Sequence, residues 1–424
     1  MTEEIKARIE SIRKGEVPNG YSKGVAGILP NDWTSKPLSE ISEVISKQAG
    51  DDDYETLSIS AGIGFVNQAQ KFGKELSGKQ YEKYTVIRKG DFAYNKGNSK
   101  RYPQGCTYRL KERDEAAVPN VFECFRIAEG CPEYYEQLFI SGFMNRQLTR
   151  KINHGVRDDG LLNLTDADFY STVLPVPSLV EQQKISEILS ACDHVIELKQ
   201  QLLNEKRKQK QWLMQMLLNP DNGVRLPGFE GSQWNRKSIG ELAYIYSGGT
   251  PDTENDTYWN GEIPWCIPSD ITSAGKYISC TENTISELGL QKSSAVILPV
   301  GSILMCSRAT IGPRSIAKVP IATNQGFKSF VCKSVCNNEF LYYAIDIVLP
   351  ELLKKAAGNT FKEISKADVA KTIISVPCLQ EQEAISECLM CADMELDFLK
   401  QEFDAWQQKK KALMQLLLTG MARV

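Results

Sequence analysis

The stretch VPSLVEQQKISEILSACDHVIELKQQLLNEKRKQKQWLMQMLLNP, at residues 176–220, decides the fold of this chain because it occurs twice. The second copy, VPCLQEQEAISECLMCADMELDFLKQEFDAWQQKKKALMQLLLTG, fills residues 376–420, so the copies are offset by 200 residues without a gap. A repeat this long is not a solenoid, whose units run roughly 20–50 residues. The chain is therefore expected to have two large halves, each closed by the same element.

Each copy has the pattern of a long amphipathic helix. Apolar residues recur at alternating spacings of four and three, which is the period of a coiled-coil seam. Pro177 and Pro377 fit helix starts. A helix of about 40 residues spans roughly 60 Å, so two such helices favour a paired spacer over packing inside one domain. The residues expected in the seam or in partner docking are Ile185, Leu189, Ile196, Leu203, Leu213, Leu217, Ile385, Leu389, Leu396, Leu399, Phe403, Trp406, Leu413 and Leu417.

Lysines interrupt the two seams to different extents. The first seam contains Lys199, Lys206 and Lys210, whereas the second contains only Lys410. Long lysine stems can carry their charge outward to solvent. We therefore expect the second helix to sit deeper in the pair, and the first to be more exposed or covered by a partner.

The composition is that of a soluble globular protein with several domains. Its 424 residues are 42% hydrophobic and 24% charged, and no apolar run reaches the roughly 18 residues that span a bilayer. Without a signal-peptide core, we expect a cytoplasmic protein that has no membrane partner. The 12 cysteines and two histidines lack zinc-site spacing, so reduced buried thiols are expected instead of a metal. The net charge of −3 excludes a global basic field but leaves room for local basic patches.

Each half is predicted to be an α+β domain. Strand-like segments lie at residues 56–60, 84–88, 91–95 and 121–127 of the first half, and within 295–312 and 321–333 of the second. A helix is predicted in each half, over 131–152 and over 337–358. The halves begin alike, since Trp33 corresponds to Trp234 and Glu40 to Glu241, and they end alike, but their middles differ.

The predicted domain boundaries follow from this repeat. They are an N-terminal helix at 1–20, a first α+β domain at 21–177, a first long helix at 178–220, a second α+β domain at 221–377 and a second long helix at 378–424.

No enzyme motif is complete. The stretch GKELSGKQ at residues 73–80 resembles a phosphate-binding loop, but Gln80 stands where the magnesium-binding Ser or Thr belongs. No G-x-G-x-x-G follows a strand, and no Cys/His or Ser/His arrangement indicates a nucleophile. We therefore expect neither catalytic residues nor a cofactor in this chain.

Two stretches, one in each half, concentrate basic residues among polar and aromatic ones. Arg and Lys suit phosphates and guanine, and Asn suits adenine, so both stretches are candidates for DNA contact; a solvated basic face is the alternative. The candidates are Asn95, Lys96, Asn98, Lys100, Arg101, Tyr102 and Arg109 in the first half, and Arg308, Thr310, Arg314 and Lys328 in the second.

With these features, the chain resembles a specificity (S) subunit of a type I restriction–modification system. The paired stretches LPVPSLVEQQKISEIL, 174–189, and ISVPCLQEQEAISECL, 374–389, resemble the family's Pro-x-x-x-Glu-Gln-x-x-Ile motif. The stretches at 247–265, 306–327 and 90–105 are also similar to segments of the family's target-recognition domains.

The resemblance implies an α+β fold of two target-recognition domains separated by an antiparallel coiled coil of two long helices, with a pseudo-twofold repeat. Each domain would read one half of a bipartite, asymmetric site in double-stranded DNA. The helices would set the unread spacer and dock two modification (methyltransferase) subunits, which carry the S-adenosylmethionine chemistry. Two restriction subunits would add ATP- and Mg-dependent translocation and cleavage.

Some alternatives stay open at this point. Family members that read different sequences resemble one another around Arg308, Thr310 and Gln325, so these residues would then stabilise the domain or contact the DNA backbone instead of reading bases. Other classes of function are a stand-alone DNA methyltransferase or nuclease with degenerate motifs, and a coiled-coil interaction protein without DNA specificity.

Overall fold

The structure, a computed structural model, describes residues 3–73, 78–97, 102–152, 161–356 and 362–424. The chain divides into two compact units. Unit 1 comprises residues 1–200 and 401–424, and unit 2 comprises residues 201–400. Each long helix therefore contributes one part to each unit.

Unit 1 contains the first α+β domain. Its strands are β1 (Tyr21–Gly24), β2 (Gly27–Pro30), β3 (Thr34–Pro37), β4 (Ser42–Val44), β5 (Leu57–Ser60), β6 (Gly64–Asn67), β7 (Thr85–Arg88), β8 (Phe92–Asn95), β9 (Cys106–Arg109), β10 (Glu115–Val118), β11 (Phe122–Ile127) and β12 (Val173–Val176). Its helices are α1 (Glu3–Lys14), α2 (Leu38–Ile41), α3 (Gln68–Phe72), α4 (Pro132–Ile140), α5 (Asn145–Lys151), α6 (Asp166–Tyr170) and the first part of α7 (Leu179–Leu217), with a 3-10 helix at Gly78–Lys83. The main sheet is antiparallel, in the order β4–β11–β8–β9.

Unit 2 contains the second α+β domain. Its strands are β13 (Asn235–Ser238), β14 (Ala243–Ser247), β15 (Trp259–Cys266), β16 (Tyr277–Ile278), β17 (Asn283–Ile285), β18 (Ile303–Cys306), β19 (Arg314–Ala317), β20 (Ala322–Thr323), β21 (Phe327–Cys332) and β22 (Ile373–Val376). Its helices are α8 (Ile239–Leu242), α9 (Pro268–Ala274), α10 (Glu287–Gln291), α11 (Asn338–Lys355), α12 (Lys366–Lys371) and the first part of α13 (Leu379–Leu417), with 3-10 helices at Pro220–Asn222 and Asp256–Tyr258. Its main sheets have the orders β14–β21–β18–β19–β16 and β17–β15–β20.

The predicted elements agree with these bounds within a few residues, with one difference. The helix predicted over 131–152 is two helices, α4 and α5. Between them Gly142 has a φ of +76°, a left-handed conformation that glycine adopts without the steric cost of a side chain. The chain therefore turns at this glycine, although the apolar periodicity continues across it.

In each domain the last strand pairs with a strand near the start of the domain. β3 runs antiparallel to β12, and β13 runs antiparallel to β22, with four paired residues in each ladder. Each long helix follows its last strand after two residues. The matching starts and ends of the two halves are thus one structural feature, a closing ladder that delivers the chain into the long helix.

A buried glutamate at the start of each long helix collects donors from distant parts of its unit. In unit 1 Glu181 accepts a hydrogen bond from Trp33 Nε1 (3.0 Å) and two from Arg423, at 2.6 and 3.0 Å. In unit 2 Glu381 accepts one from Trp234 Nε1 at 3.2 Å. The carboxylates are 6% and 1% exposed. Because an unpaired buried charge is strongly unfavourable, these donors stabilise the folded unit.

The adjacent glutamine holds the loop that precedes the domain's helix. In unit 1 the Cys131 N–H donates to Gln182 Oε1 at 2.8 Å. In unit 2 the Asn337 N–H donates to Gln382 Oε1 at 2.8 Å, and Gln382 Nε2 donates to the Val335 carbonyl at 3.2 Å. The Glu-Gln dipeptide therefore has a physical role in each copy. Glu binds the tryptophan just before β3 or β13, and Gln binds the loop before α4 or α11.

The two long helices pack antiparallel within each unit. In unit 1 Lys199 Nζ lies 3.0 Å from Glu402 Oε2, and Lys410 Nζ lies 2.5 Å from Asp193 Oδ1. From Asp193 to Lys199 along α7, the partner on α13 changes from Lys410 to Glu402. The residue numbers run in opposite senses, so the two helices are antiparallel. The apolar ends of the pair, including Ile185 and Leu417, merge with the core of the first domain.

Unit 2 repeats this arrangement with the helices exchanged. Lys206 Nζ lies 2.6 Å from Glu395 Oε1, and Lys210 forms an ion pair with Asp393. Ile385, Leu389 and Leu217 merge with the core of the second domain. The fold class predicted from the sequence, two α+β domains with an antiparallel pair of long helices and an internal repeat, is confirmed.

We expected α7 to be the more exposed long helix because lysines interrupt its seam, and this reason was wrong. Lys199, Lys206 and Lys210 do not weaken the seam by extending to solvent, because each lies against an acid of α13. The seam residues predicted on both helices are buried or half-buried. Large exposed apolar side chains occur on α13 as well as on α7, Met394 and Phe398 among them. Apolar periodicity missed this because it scores a lysine as an interruption, whatever faces it.

The glutamine contacts predict a specific loss of stability. In Gln382→Ala the part-buried Asn337 N–H and Val335 carbonyl lose their partner, and a hydrogen bond of this kind contributes about 0.5–1.5 kcal/mol. We expect a lower free energy of unfolding in denaturant and faster amide exchange at Asn337. The control is Gln380→Ala, two residues earlier on the exposed face of α13. Equal stabilities of the two variants would contradict the role given to Gln382.

The ion pairs across the helices predict a rescue by charge exchange. Lys206→Glu places two carboxylates opposite each other. We expect the free energy of unfolding to fall by about 1 kcal/mol, since such partly exposed pairs contribute about 0.2–1 kcal/mol. The double variant Lys206→Glu/Glu395→Lys should recover most of this free energy. The coupling energy between the two positions should decrease in high salt. Lys400→Glu, an exposed position on α13, controls for net charge. Additive effects in the double-mutant cycle would show that the pair does not interact.

Candidate DNA interfaces

The basic stretch of the first domain receives acidic partners from other segments. Lys96 Nζ lies 2.6 Å from both Glu123 and Asp166. Burial raises the pKa of Glu123, whereas the hydrogen bond from Lys96 lowers the pKa of Asp166. Arg109 forms ion pairs with Glu133 and Glu136. The positive charges of Lys96 and Arg109 are therefore compensated in the folded domain.

Other candidates in this stretch have different placements. Asn95 is half-buried at the end of β8, where its Oδ1 accepts from the Gly97 N–H at 2.7 Å. Asn98, Lys100 and Arg101 lie outside the described residues. Tyr102 is half-buried and lines a surface cavity of about 330 Å³. DNA contact by these residues stays a prediction.

The Tyr102 cavity has a polar wall. It is also lined by Gln104, Cys106, Tyr108 and Asn145. Burial raises the pKa of the Cys106 thiol to about 11 and that of Tyr108 to about 12, so both groups keep their protons at neutral pH. The cavity can therefore offer hydroxyl, thiol and amide donors to a ligand.

Two of the second domain's candidates lie inside it. Arg314 is 9% exposed; its Nε donates to the Tyr342 carbonyl at 2.7 Å, and it forms a 2.7 Å ion pair with Asp346. Lys328 is 5% exposed, with its Nζ 3.3 Å from Ser307 Oγ and 3.4 Å from Glu363. Their described contacts join strands to neighbouring segments of the domain. A DNA contact by either group stays a prediction.

The other two second-domain candidates, Arg308 and Thr310, are exposed. They lie on the loop between β18 and β19, and Arg308 lines a cavity of about 250 Å³ together with Asn324 and Gln325. This loop brings an exposed guanidinium next to side-chain amides. It is the described part of unit 2 that best fits the sequence-based expectation of a DNA-contacting surface.

A carboxylate on each long helix anchors the recognition domain of its unit. In unit 1 Asp193 accepts from Gln137 Nε2 at 2.8 Å. In unit 2 the Tyr343 hydroxyl donates to Asp393, and Lys276 Nζ lies 3.7 Å from it. Burial and this hydrogen bond raise the pKa of Tyr343. The 200-residue offset of the repeat aligns Asp193 with Asp393, but the sequence gives no signal for their different partners.

Unit 2 also exposes large apolar side chains on its helices. Met394 and Phe398 of α13 are 69% and 61% exposed, and Leu202 and Trp212 of α7 are also exposed. Met394 and Phe398 are four residues apart, so they share one helix face. Exposed apolar groups that cluster in this way are typical of protein interfaces.

Within the described ranges, no group of three or more His, Cys, Asp and Glu side chains is arranged to hold a metal ion. None of the described helices combines the length and apolarity needed to cross a membrane.

Comparison with known proteins agrees with the repeat. The family described as "Type I restriction modification DNA specificity domain" matches this chain twice, at residues 30–206 and 231–402. Each match covers most of one α+β domain and continues into the long helix that follows it.

Individual relatives are described as specificity subunits of type I restriction enzymes. The type I restriction enzyme MjaIX specificity subunit of Methanocaldococcus jannaschii is 37% identical over 163 residues, which is 38% of either chain. The provisionally named type I restriction enzyme MjaX specificity subunit of the same organism is 24% identical over 95% of this chain and 97% of its own length. The EcoR124I/EcoR124II specificity subunit of Escherichia coli is 27% identical over 51% of this chain and 54% of its own.

Solved structures share the fold. A chain from a structure on complex assembly and conformational transition of the type I R-M system has a TM-score of 0.59 at 20% identity, covering 93% of this chain and 99% of that one. The S subunit of the type I restriction-modification system from M. genitalium has a TM-score of 0.55 at 15% identity, covering 95% and 97%. Since the family matches most of the sequence in two places, this chain belongs to the type I restriction modification DNA specificity domain family and is a specificity subunit.

Proposed function

We propose that this chain is the DNA-recognition subunit of a type I restriction–modification complex and reads a bipartite, asymmetric site in double-stranded DNA. One observation carries the proposal: the same DNA specificity domain family matches the chain twice, and the two matched domains differ in their middle parts. Recognition domains 21–177 and 221–377 would each read one half-site. Because the two domains have different sheets, the two half-sites are expected to differ in sequence.

The partners and the division of chemistry form a second part of the proposal. Two modification subunits would bind the helical regions 178–220 and 378–424, and a restricting complex would add two restriction subunits. S-adenosylmethionine, ATP and Mg would bind those partners, and this subunit itself would be non-catalytic. The support is the description of the relatives as specificity subunits of restriction enzymes.

Within unit 2 we place a modification subunit on the exposed apolar face of α13 rather than on the seam. The seam residues are occupied by packing between the helices, whereas Met394 and Phe398 are more than half exposed. An apolar interface on these side chains would bury surface that is otherwise in water. Aromatic residues at the centre of an interface commonly contribute much of its affinity.

Footprinting of the reconstituted methyltransferase complex tests the function itself. We expect two protected blocks of different sequence with an unread spacer between them, because the two domains differ. The chain without its partners should transfer no methyl group from labelled S-adenosylmethionine. Absence of sequence-specific protection would contradict the proposal, and methyl transfer by the purified chain would favour a stand-alone methyltransferase.

The docking face is tested by Phe398→Ser. We expect at least about tenfold weaker binding of the modification subunit, as for the loss of a central aromatic contact. Val25→Ser, at an exposed valine of unit 1 outside the helices, is the matched control. Unchanged assembly of the Phe398 variant, measured by calorimetry, would place the partner elsewhere.

A further inference from the structure

Two loops of unit 2 form the cavity lined by Arg308, and they are fixed to each other. The Ser307 N–H and hydroxyl both donate to the Gly326 carbonyl, at 2.8 and 3.0 Å. The Gly326 N–H donates to Asn324 Oδ1 at 2.9 Å. The cavity wall, which also includes Pro268, is therefore ordered before any ligand arrives, and little conformational entropy is lost on binding.

The backbone beside Arg308 has an unusual conformation. Ala309 has a φ of +61°, which is uncommon for a residue with a side chain. Its N–H donates to the Lys362 carbonyl at 3.0 Å, which ties the loop to the segment before α12. Sparsely populated conformations of this kind cluster at ligand-binding sites, where surrounding contacts maintain them.

The polar groups at the cavity are hydrogen-bond donors. The Thr250 hydroxyl donates to Gln325 Oε1, so the amide is held with its Nε2 group available as a donor. Arg308 contributes an exposed guanidinium, which has donors only. Base edges in the major groove present donors as well as acceptors, whereas phosphate oxygens are acceptors only.

The charge around the cavity is positive. The described lining residues include no acid. The acid nearest to Arg308 among its described partners is Glu363, at 4.0 Å from its Nε. Glu363 also lies 3.4 Å from Nζ of the buried Lys328, which offsets the carboxylate charge. Among the described groups here, two cations, Arg308 and Lys328, thus share the single carboxylate of Glu363.

We propose that this cavity binds a phosphodiester of the DNA backbone, with Arg308 and Gln325 as phosphate ligands and Thr250 as the residue that positions Gln325. This inference rests on the proposed function and deepens it. It assigns sequence-independent affinity, and not base reading, to this part of the second domain. Selection of the bases would then depend on other residues of the domain.

The test uses Arg308→Ala and Gln325→Ala in the complete chain, assembled with its modification subunits. Binding is measured for the target duplex and for duplexes with each base pair replaced, between about 50 and 200 mM salt. Arg308→Ala should weaken binding to every duplex by the same factor. It should also reduce the slope of log K against log salt by about 0.9, the loss of one phosphate contact.

Gln325→Ala should weaken all duplexes uniformly without changing the salt slope, because the amide is neutral. Thr250→Val should reproduce part of this effect, and Thr250→Ser should restore wild-type binding because it keeps the hydroxyl. Arg236→Ala removes the same charge from an exposed position on β13, outside the cavity lining, and should change neither quantity.

Two results would overturn the inference. One is a loss of discrimination at a single base pair in the Arg308 or Gln325 variant, which would show base reading. The other is unchanged affinity in both variants. In either case the wild-type complex would still prefer its target, so the proposed function would stand. A wild-type complex that binds all duplexes alike would instead contradict the proposed function.

Discussion

The structure of each unit depends on a buried carboxylate at the first turn of a long helix. Glu181 and Glu381 each accept a hydrogen bond from an indole of the same domain's first strand region. A buried charge is tolerated only where its hydrogen bonds are complete. The repeat therefore had to retain Trp33 and Trp234 with these acids, which explains why residues about 150 positions apart recur together in both halves.

The helix pair combines an apolar seam with charges that select one arrangement. Lys206 and Lys210 face Glu395 and Asp393 in unit 2, while Lys410 faces Asp193 in unit 1. Burial of apolar residues alone is insensitive to direction and register. In another register a lysine would face another positive charge and be repelled. The antiparallel register is therefore favoured by repulsion in the other registers as well as by attraction in its own.

Local patterns in the sequence predicted the fold, because strand and helix periodicities depend on neighbouring residues. They did not predict the electrostatic surface of the site. Lys96 and Arg109 read as free cations along the chain, but Glu123, Asp166 and Glu133 reach them only after folding. Likewise, nothing local showed that Arg314 would be buried against the Tyr342 carbonyl. The sequence shows which charged residues a segment contains. Whether each charge is neutralised by an opposite charge depends on tertiary contacts.

The anchoring aspartates suggest how one scaffold accommodates unlike recognition domains. Asp193 takes a side-chain amide from its domain, whereas Asp393 takes a tyrosine hydroxyl and lies near a lysine. A carboxylate can accept from any of these donors, so the helix does not prescribe a single domain sequence. A domain of different specificity therefore needs only the closing strand ladder, the donors to the Glu-Gln dipeptide and one donor aimed at this aspartate. These requirements leave the rest of the domain surface free to vary.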